Sequence, residues 1–242
     1  MKYTIKQILA ETNHRAWQYP SKSWKYYQEW NKALFFHYKI DKEILRELVP
    51  KDLEIDEIND SAWVSLVAFT MEKIRPRFLP AFSPISDFDE INLRTYVTKN
   101  GKPGVYFLSI EAEKLFSAIL AKSLSGLPYE KSNINRTENS YQANHPKRNF
   151  SLLADFHVGM QVKHKSELDL FLTERYCLYL EDNDQLFRYE IQHLPWKINQ
   201  LELEFLTIDY QLQNLNIDSR PDLVHYSDCL LYTSDAADDT PC

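Results

Sequence analysis

Glu90, Asn92, Arg94 and Tyr96 stand two residues apart in the run EINLRTYV. On an extended strand this period puts all four side chains on one face and Ile91, Leu93 and Val97 on the other. Such a row could bind and polarise a small oxygen-bearing molecule. The planar guanidinium of Arg94 matches a carboxylate or carbonyl through its fork of N–H donors. Glu90 would hold Arg94 or act as a base, and Tyr96 adds a phenol to the same face. A polar strand face is either wetted by solvent or lines a cavity, and the spacing leaves both readings open.

The other reactive side chains are read more plainly. Arg75 and Arg77 fall in the proline-rich RPRFLPAFSPIS, as solvated loop arginines or as residues at a cavity mouth. His37 shares a strand face with Phe35 and Lys39, where a hydrogen-bonded core histidine is the plain reading and proton transfer the sharper one. His157 and His164 are seven apart with no acidic or Cys partner at ligand spacing, so no metal site is expected. Cys177 reads as a buried thiol. There is no Gly-x-Ser-x-Gly elbow and no P-loop. Only four of 242 residues are Gly, against an average of roughly 7%. No cofactor is expected.

Lys and Arg number 28 and Asp and Glu 35, for a net charge of −7. That balance argues against sequence-independent nucleic-acid binding, which needs a basic stripe to displace counterions. The N-terminus lacks an apolar signal core, and the longest apolar run is too short to span a bilayer. A cytoplasmic protein with reduced Cys, and no membrane partner, is the expectation.

These side chains need elements to hold them. Residues 4–12 suit a short amphipathic helix. The aromatics between Trp17 and Trp30 read as an arm packed over the domain. A strand is expected over 33–40, then a helix capped by Asp41 and ended by Pro50. Residues 53–58 read as a strand, and 61–71, apolar on both faces, as a strand covered on both sides. Runs 88–98 and 104–112 read as a hairpin around Asn100-Gly101. Residues 113–124 have the spacing of a helix, with Gly126 at its end. Strands follow within 129–163, a helix capped by Ser166, a strand pair at 176–180 and 186–193, and a long strand over 200–212. Many strands with a few short helices make one β-rich α+β domain. Its expected divisions are an arm over 1–32, a domain over 33–228, and a stretch over 229–242 that forms no element. The string CLLYTSDAADD in that last stretch resembles a translated sequencing-library adapter and is expected to be non-native.

The order of several motifs resembles a known family. They are HRAW at 14–17, LFFHYKID at 34–41, AWVSLVAF at 62–69, EINLRTYV at 90–97, GKPGVYFLSIEA at 101–112, SGLPY at 125–129 and RPDLVHYS at 220–227. Together they are similar to the YqjF-like family of uncharacterised bacterial proteins, which resembles the acetoacetate decarboxylase superfamily. The resemblance implies a closed antiparallel β-barrel with an internal cavity. It also implies that Glu90 lines the cavity. In acetoacetate decarboxylase a Gly-x-Pro-Lys-Lys stretch supplies a Schiff-base lysine. Here the matching residues are Gly126-Leu127-Pro128-Tyr129-Glu130, so Tyr129 takes that place and Lys131 is displaced. Decarboxylation through a Schiff base is therefore not expected.

The leading expectation is a protein that binds a small carbonyl- or carboxylate-bearing metabolite in the barrel, with Arg94, Tyr96, Tyr129, Arg75 and His37 as ligand contacts. A lyase or hydrolase-like enzyme using Glu90 and Arg94 is the catalytic alternative. An interaction module docking a partner or second subunit through the aromatic arm is the third. Whether the chain is an enzyme, and whether it forms a homo-oligomer, the sequence leaves open.

Overall fold

The computed structural model describes residues 3–20, 23–114 and 127–234. The polypeptide forms fourteen strands and four short helices in these parts. In chain order they are α1 (Ile5–Ala10), β1 (Tyr26–Ile40), α2 (Lys42–Leu48), β2 (Glu54–Ile55), β3 (Ala62–Pro76), α3 (Ser83–Ser86), β4 (Phe88–Lys99) and β5 (Lys102–Ala112). Then come β6 (Tyr129–Lys131), β7 (Asn133–Arg136), β8 (Ser140–Asn144), β9 (Phe150–Gln161), α4 (Glu167–Thr173), β10 (Cys177–Asp182), β11 (Gln185–His193), β12 (Asn199–Leu212), β13 (Leu215–Ile217) and β14 (Leu223–Ser234).

Local chemistry sets many of the boundaries. Asp41 accepts a hydrogen bond from the Glu43 N–H at the start of α2, and Ser166 and Asp169 form a reciprocal capping box on α4. Asn100 and Gly101 both have positive φ, the backbone a two-residue hairpin turn requires between β4 and β5. Gly104 has a different reason to be Gly. A Cβ there would lie 2.6 Å from Cys177 Sγ and 2.7 Å from the Cys177 carbonyl oxygen.

The pairings run β1-β3-β4-β5-β10-β11-β14, and β14 pairs back with β1. Seven strands thus form a ring. A second group, β12-β9-β8-β7, continues outward from β14. One core cluster takes side chains from every ring strand: Trp30, Phe69, Tyr96, Ile110, Leu178, Ile191 and Leu230 are among them. A second lies between the other face of β1, β3 and β4 and the outer strands, joining Leu34, Leu66 and Leu93 to Phe156 and Tyr210. This is why β3 is apolar on both faces, as its sequence implies.

Several expectations need correction. The ring is not wholly antiparallel: β5 pairs in parallel with β10 and with β6. Chain between these strands must cross over rather than turn back. The arm ends earlier than expected, because Tyr26 to Trp30 already belong to β1 and pair with β3 and β14. Their aromatic side chains hid the strand from a reading based on alternation. Arg75 lies at the end of β3 opposite Tyr27, not in a loop. The strand expected over 53–58 is reduced to the two residues of β2. The stretch 229–234, expected to form no element, is the second half of β14 and pairs with Tyr26–Asn31. Its Leu, Tyr and Thr residues suit a strand once an unpaired edge of β1 is available. The helix expected over 113–124, from residue 115 on, and its Gly126 cap lie outside the described residues.

Residues before β1 are clamped to the body. Arg15 Nη2 donates to Glu190 Oε2 at 2.7 Å, and Trp17 Nε1 donates to the same oxygen at 2.8 Å. Among the described residues, no helix is long and apolar enough to cross a membrane.

Candidate functional site

β4 lies inside the ring between β3 and β5. Glu90, Asn92, Arg94 and Tyr96 all face inward from it, each no more than 5% exposed. The wetted reading of this polar row is therefore excluded. Opposite facing sends Ile91 and Leu93 into the second core. A bulge in the β4–β5 pairing falls between Leu93 and Arg94.

The row does not form one site. Glu90 lines a cavity of about 230 Å³ together with Trp30, Arg75, Phe88, Phe107, Tyr129 and Tyr232. Asn92 Nδ2 donates to Glu90 Oε1 at 3.2 Å, and the Tyr129 hydroxyl donates to Oε2 at 3.1 Å. Burial dominates over these two donors and raises the Glu90 carboxyl from 4.5 to about 7. Burial also raises Tyr129, well above its ordinary value, helped by the nearby carboxyl. Tyr129 thus stands at the cavity. No lysine lines the cavity among the described residues. Lys131 is exposed and belongs to a surface groove instead.

Arg94 lies next door. It lines a chamber of about 30 Å³ that shares Trp30, Phe107 and Tyr232 with the main cavity. Its Nη2 donates to the Leu172 carbonyl at 3.3 Å, its guanidinium lies over the ring of Phe35, and its Nε has no hydrogen-bond partner among the described residues. Tyr232 feels both groups: after burial, the charge of Glu90 raises its pKa and that of Arg94 lowers it.

Tyr96 and His37 contact neither space. They belong to a buried chain of polar groups that leads away from the cavity. The Tyr96 hydroxyl donates to the Leu172 carbonyl at 2.9 Å and lies 2.6 Å from Ser65 Oγ. Ser65 Oγ lies 2.6 Å from His37 Nδ1, His37 Nε2 lies 3.1 Å from His225 Nδ1, and His225 Nε2 lies 2.9 Å from Asp169 Oδ1. Burial pushes both histidines below the ordinary value, His37 far below. The plain reading of His37 as a hydrogen-bonded core residue fits this geometry. Its partners lie far away in sequence, and no local signal joins them.

Arg75 stacks over Trp24 and Tyr27, so the arm's aromatics are partly used in holding it. Trp30 is buried, stacked on Phe69 at a centroid distance of 4.0 Å, and offers nothing to an outside partner. Burial raises the Cys177 thiol to about 12, which makes it inert at neutral pH. His157 pairs with Glu204 at the surface. No cluster of three or more His, Cys, Asp or Glu able to hold a metal occurs among the described residues. The cavity-lining residues missed by sequence reasoning, Trp30, Phe107 and Tyr232, carried a strand-like hydrophobic signal but nothing to say that they border empty space.

Comparison with known proteins places this geometry. The protein YqjF of Bacillus subtilis (strain 168), itself uncharacterized, is 34% identical over 216 residues, covering 86% of this chain and 89% of that one. The enduracididine biosynthesis enzyme MppR complexed with pyruvate superposes with a TM-score of 0.59 at 10% identity, over 94% of this chain and 93% of that one. Acetoacetate decarboxylase from Legionella pneumophila gives a TM-score of 0.56 at 14% identity, over 95% and 93%. At these identities the solved structures establish an acetoacetate decarboxylase-like fold and no activity. Residues 27–230 match the family model DUF2071, so this chain belongs to the DUF2071 family of uncharacterized conserved proteins.

Proposed function

We propose that this protein binds a small carbonyl- or carboxylate-bearing metabolite in the cavity of its strand ring, which we read as the lumen of a closed barrel. One observation carries the reading. Glu90 is a fully buried carboxyl at an apolar cavity, held by Asn92 and Tyr129. Pockets of this kind, mostly apolar with a few convergent polar groups, are where small ligands bind. The structurally similar MppR is complexed with pyruvate, which supports a small carbonyl-bearing ligand. Because Tyr232 falls in the stretch expected to be adapter-derived, the reading rests on Glu90, Asn92 and Tyr129, which lie inside the matched family region.

A catalytic role for Glu90 is the second reading. A carboxyl near 7 is suited to proton transfer at neutral pH. Arg94 would act from the adjoining chamber, and no Schiff-base lysine would take part.

Titration with a panel of small ketones and keto acids, followed by intrinsic Trp fluorescence, tests the binding reading, since Trp30 borders the cavity. Saturable quenching is expected in the natural protein and loss of it in Ile110→Phe, which fills the cavity. Equal responses in both proteins, with circular dichroism unchanged, would refute the location.

A further inference from the structure

We propose that the cavity selects a ligand with an apolar body of ring size that meets Glu90 through a neutral carbonyl, not through a free carboxylate. The inference rests on reading this cavity as the ligand site.

Its first support is the company Glu90 keeps. At the cavity the titratable groups acting on it are Tyr129 from β6 and Tyr232 from β14; Glu111 on β5 pairs opposite Ile91 and, with Tyr141 of β8, which donates to the Glu90 backbone carbonyl, lies on the other face of β4. Opposite Glu90 on β3 stands Phe69, which is uncharged. Among the described residues the side-chain hydrogen bonds of Glu90 come from Asn92 and Tyr129, neither of them a cation. A ligand carboxylate beside Glu90 would therefore meet buried oxygens, with Arg75 the one cation among the described residues that line the cavity.

The second support is the size of Arg94's chamber. At about 30 Å³ it is far smaller than the main cavity, and Trp30, Phe107 and Tyr232 line both. A ring does not fit in that volume, so a ring-sized body stays in the main cavity beside Glu90. Arg94 and Arg175, both buried, line this chamber and not the main cavity, and Arg94 lowers the pKa of Tyr232.

The third support is the rest of the wall. Met71, Ile74, Phe88, Phe107, Ile110 and Leu127 are apolar. Leu79, Pro80 and Phe82 also line it, and Leu79 and Phe82 are 59% and 64% exposed. An apolar cavity of roughly 150 Å³ accommodates benzene, and this one, at about 230 Å³, has space for a ring and a short side chain. A molecule as small as pyruvate would leave most of that wall uncovered.

With the carboxyl near 7, Glu90 donates its proton to a carbonyl oxygen below that pH and loses the donor above it. Glu111, raised to about 8 by burial, ionises later and lies outside the cavity lining. Calorimetric titration with benzylacetone, hydrocinnamate and pyruvate separates the possibilities. At about pH 6, benzylacetone is expected to bind about tenfold or more tighter than either other compound. Its affinity should fall as pH rises to about 8.5, whereas in Glu90→Gln, whose amide stays a donor, affinity should be retained and level with pH. Hydrocinnamate binding tighter than benzylacetone would overturn the neutral head while leaving the cavity as the ligand site. Pyruvate matching benzylacetone would overturn the apolar body. An identical pH slope in Glu90→Gln would overturn the role of Glu90. Binding of none of the three would overturn this inference and the cavity reading together.

Discussion

Replacing Glu90 with Gln should stabilise the protein at neutral and alkaline pH and leave it nearly unchanged in acid. A carboxyl raised from 4.5 to about 7 keeps its proton in the folded chain where the unfolded chain releases it. Below 4.5 both states are protonated and the group is neutral in its effect. Between 4.5 and 7 the folded state loses stability as pH rises, and above 7 the loss is complete. At 1.36 kcal/mol per pKa unit the full penalty is about 3 kcal/mol. The variant carries no such group. Its amide oxygen can accept from Tyr129, and its NH2 can donate to Asn92 after that amide turns, because Asn92 Oδ1 has no partner among the described residues. The measurement is urea unfolding of both proteins across pH, read as the difference in unfolding free energy. All other titrating groups, Glu111 included, cancel in that difference to first order. The difference should grow by about 1.4 kcal/mol per pH unit and then level off above about pH 7. A difference that stays flat from acid to alkaline pH would show that Glu90 has an ordinary pKa and would refute the burial argument.

Two further perturbations test the frame around the site. Gly104→Ala places a methyl 2.6 Å from Cys177 Sγ and 2.7 Å from its carbonyl oxygen, so the parallel β5–β10 contact should be strained by about 1–3 kcal/mol; an unfolding midpoint equal to that of the natural protein would contradict it. Glu190→Ala removes the carboxylate that receives Arg15 and Trp17 and leaves the Arg15 guanidinium buried without its ion pair, a loss of about 3–5 kcal/mol. Limited proteolysis should then cut before Tyr26 faster than in the natural chain, and an unchanged cutting rate would show that the clamp is dispensable.

Much of this molecule is legible from neighbours in sequence. Asp41, Ser166 and Asn100-Gly101 act within a few residues of themselves, and the caps and the hairpin turn stand where those residues imply. The period of two in EINLRTYV likewise determines that Glu90, Asn92, Arg94 and Tyr96 share a face, because alternation is a property of a single strand. Whether that face meets water depends on what stands across from it, which one strand does not contain. Closure of the ring by β1 and β14 buries the row. The same closure separates Glu90, beside Tyr129 at the cavity, from Arg94 in its own chamber. It also draws Tyr96 and His37 into a chain with Ser65, His225 and Asp169. The parallel pairing of β5 with β10 is equally invisible locally, since it joins segments far apart in the chain. The sequence by itself therefore determines which side chains travel together along a strand. The tertiary structure alone decides which of them are desolvated and which distant partners they meet, and desolvation is what moves the carboxyl of Glu90 to about 7.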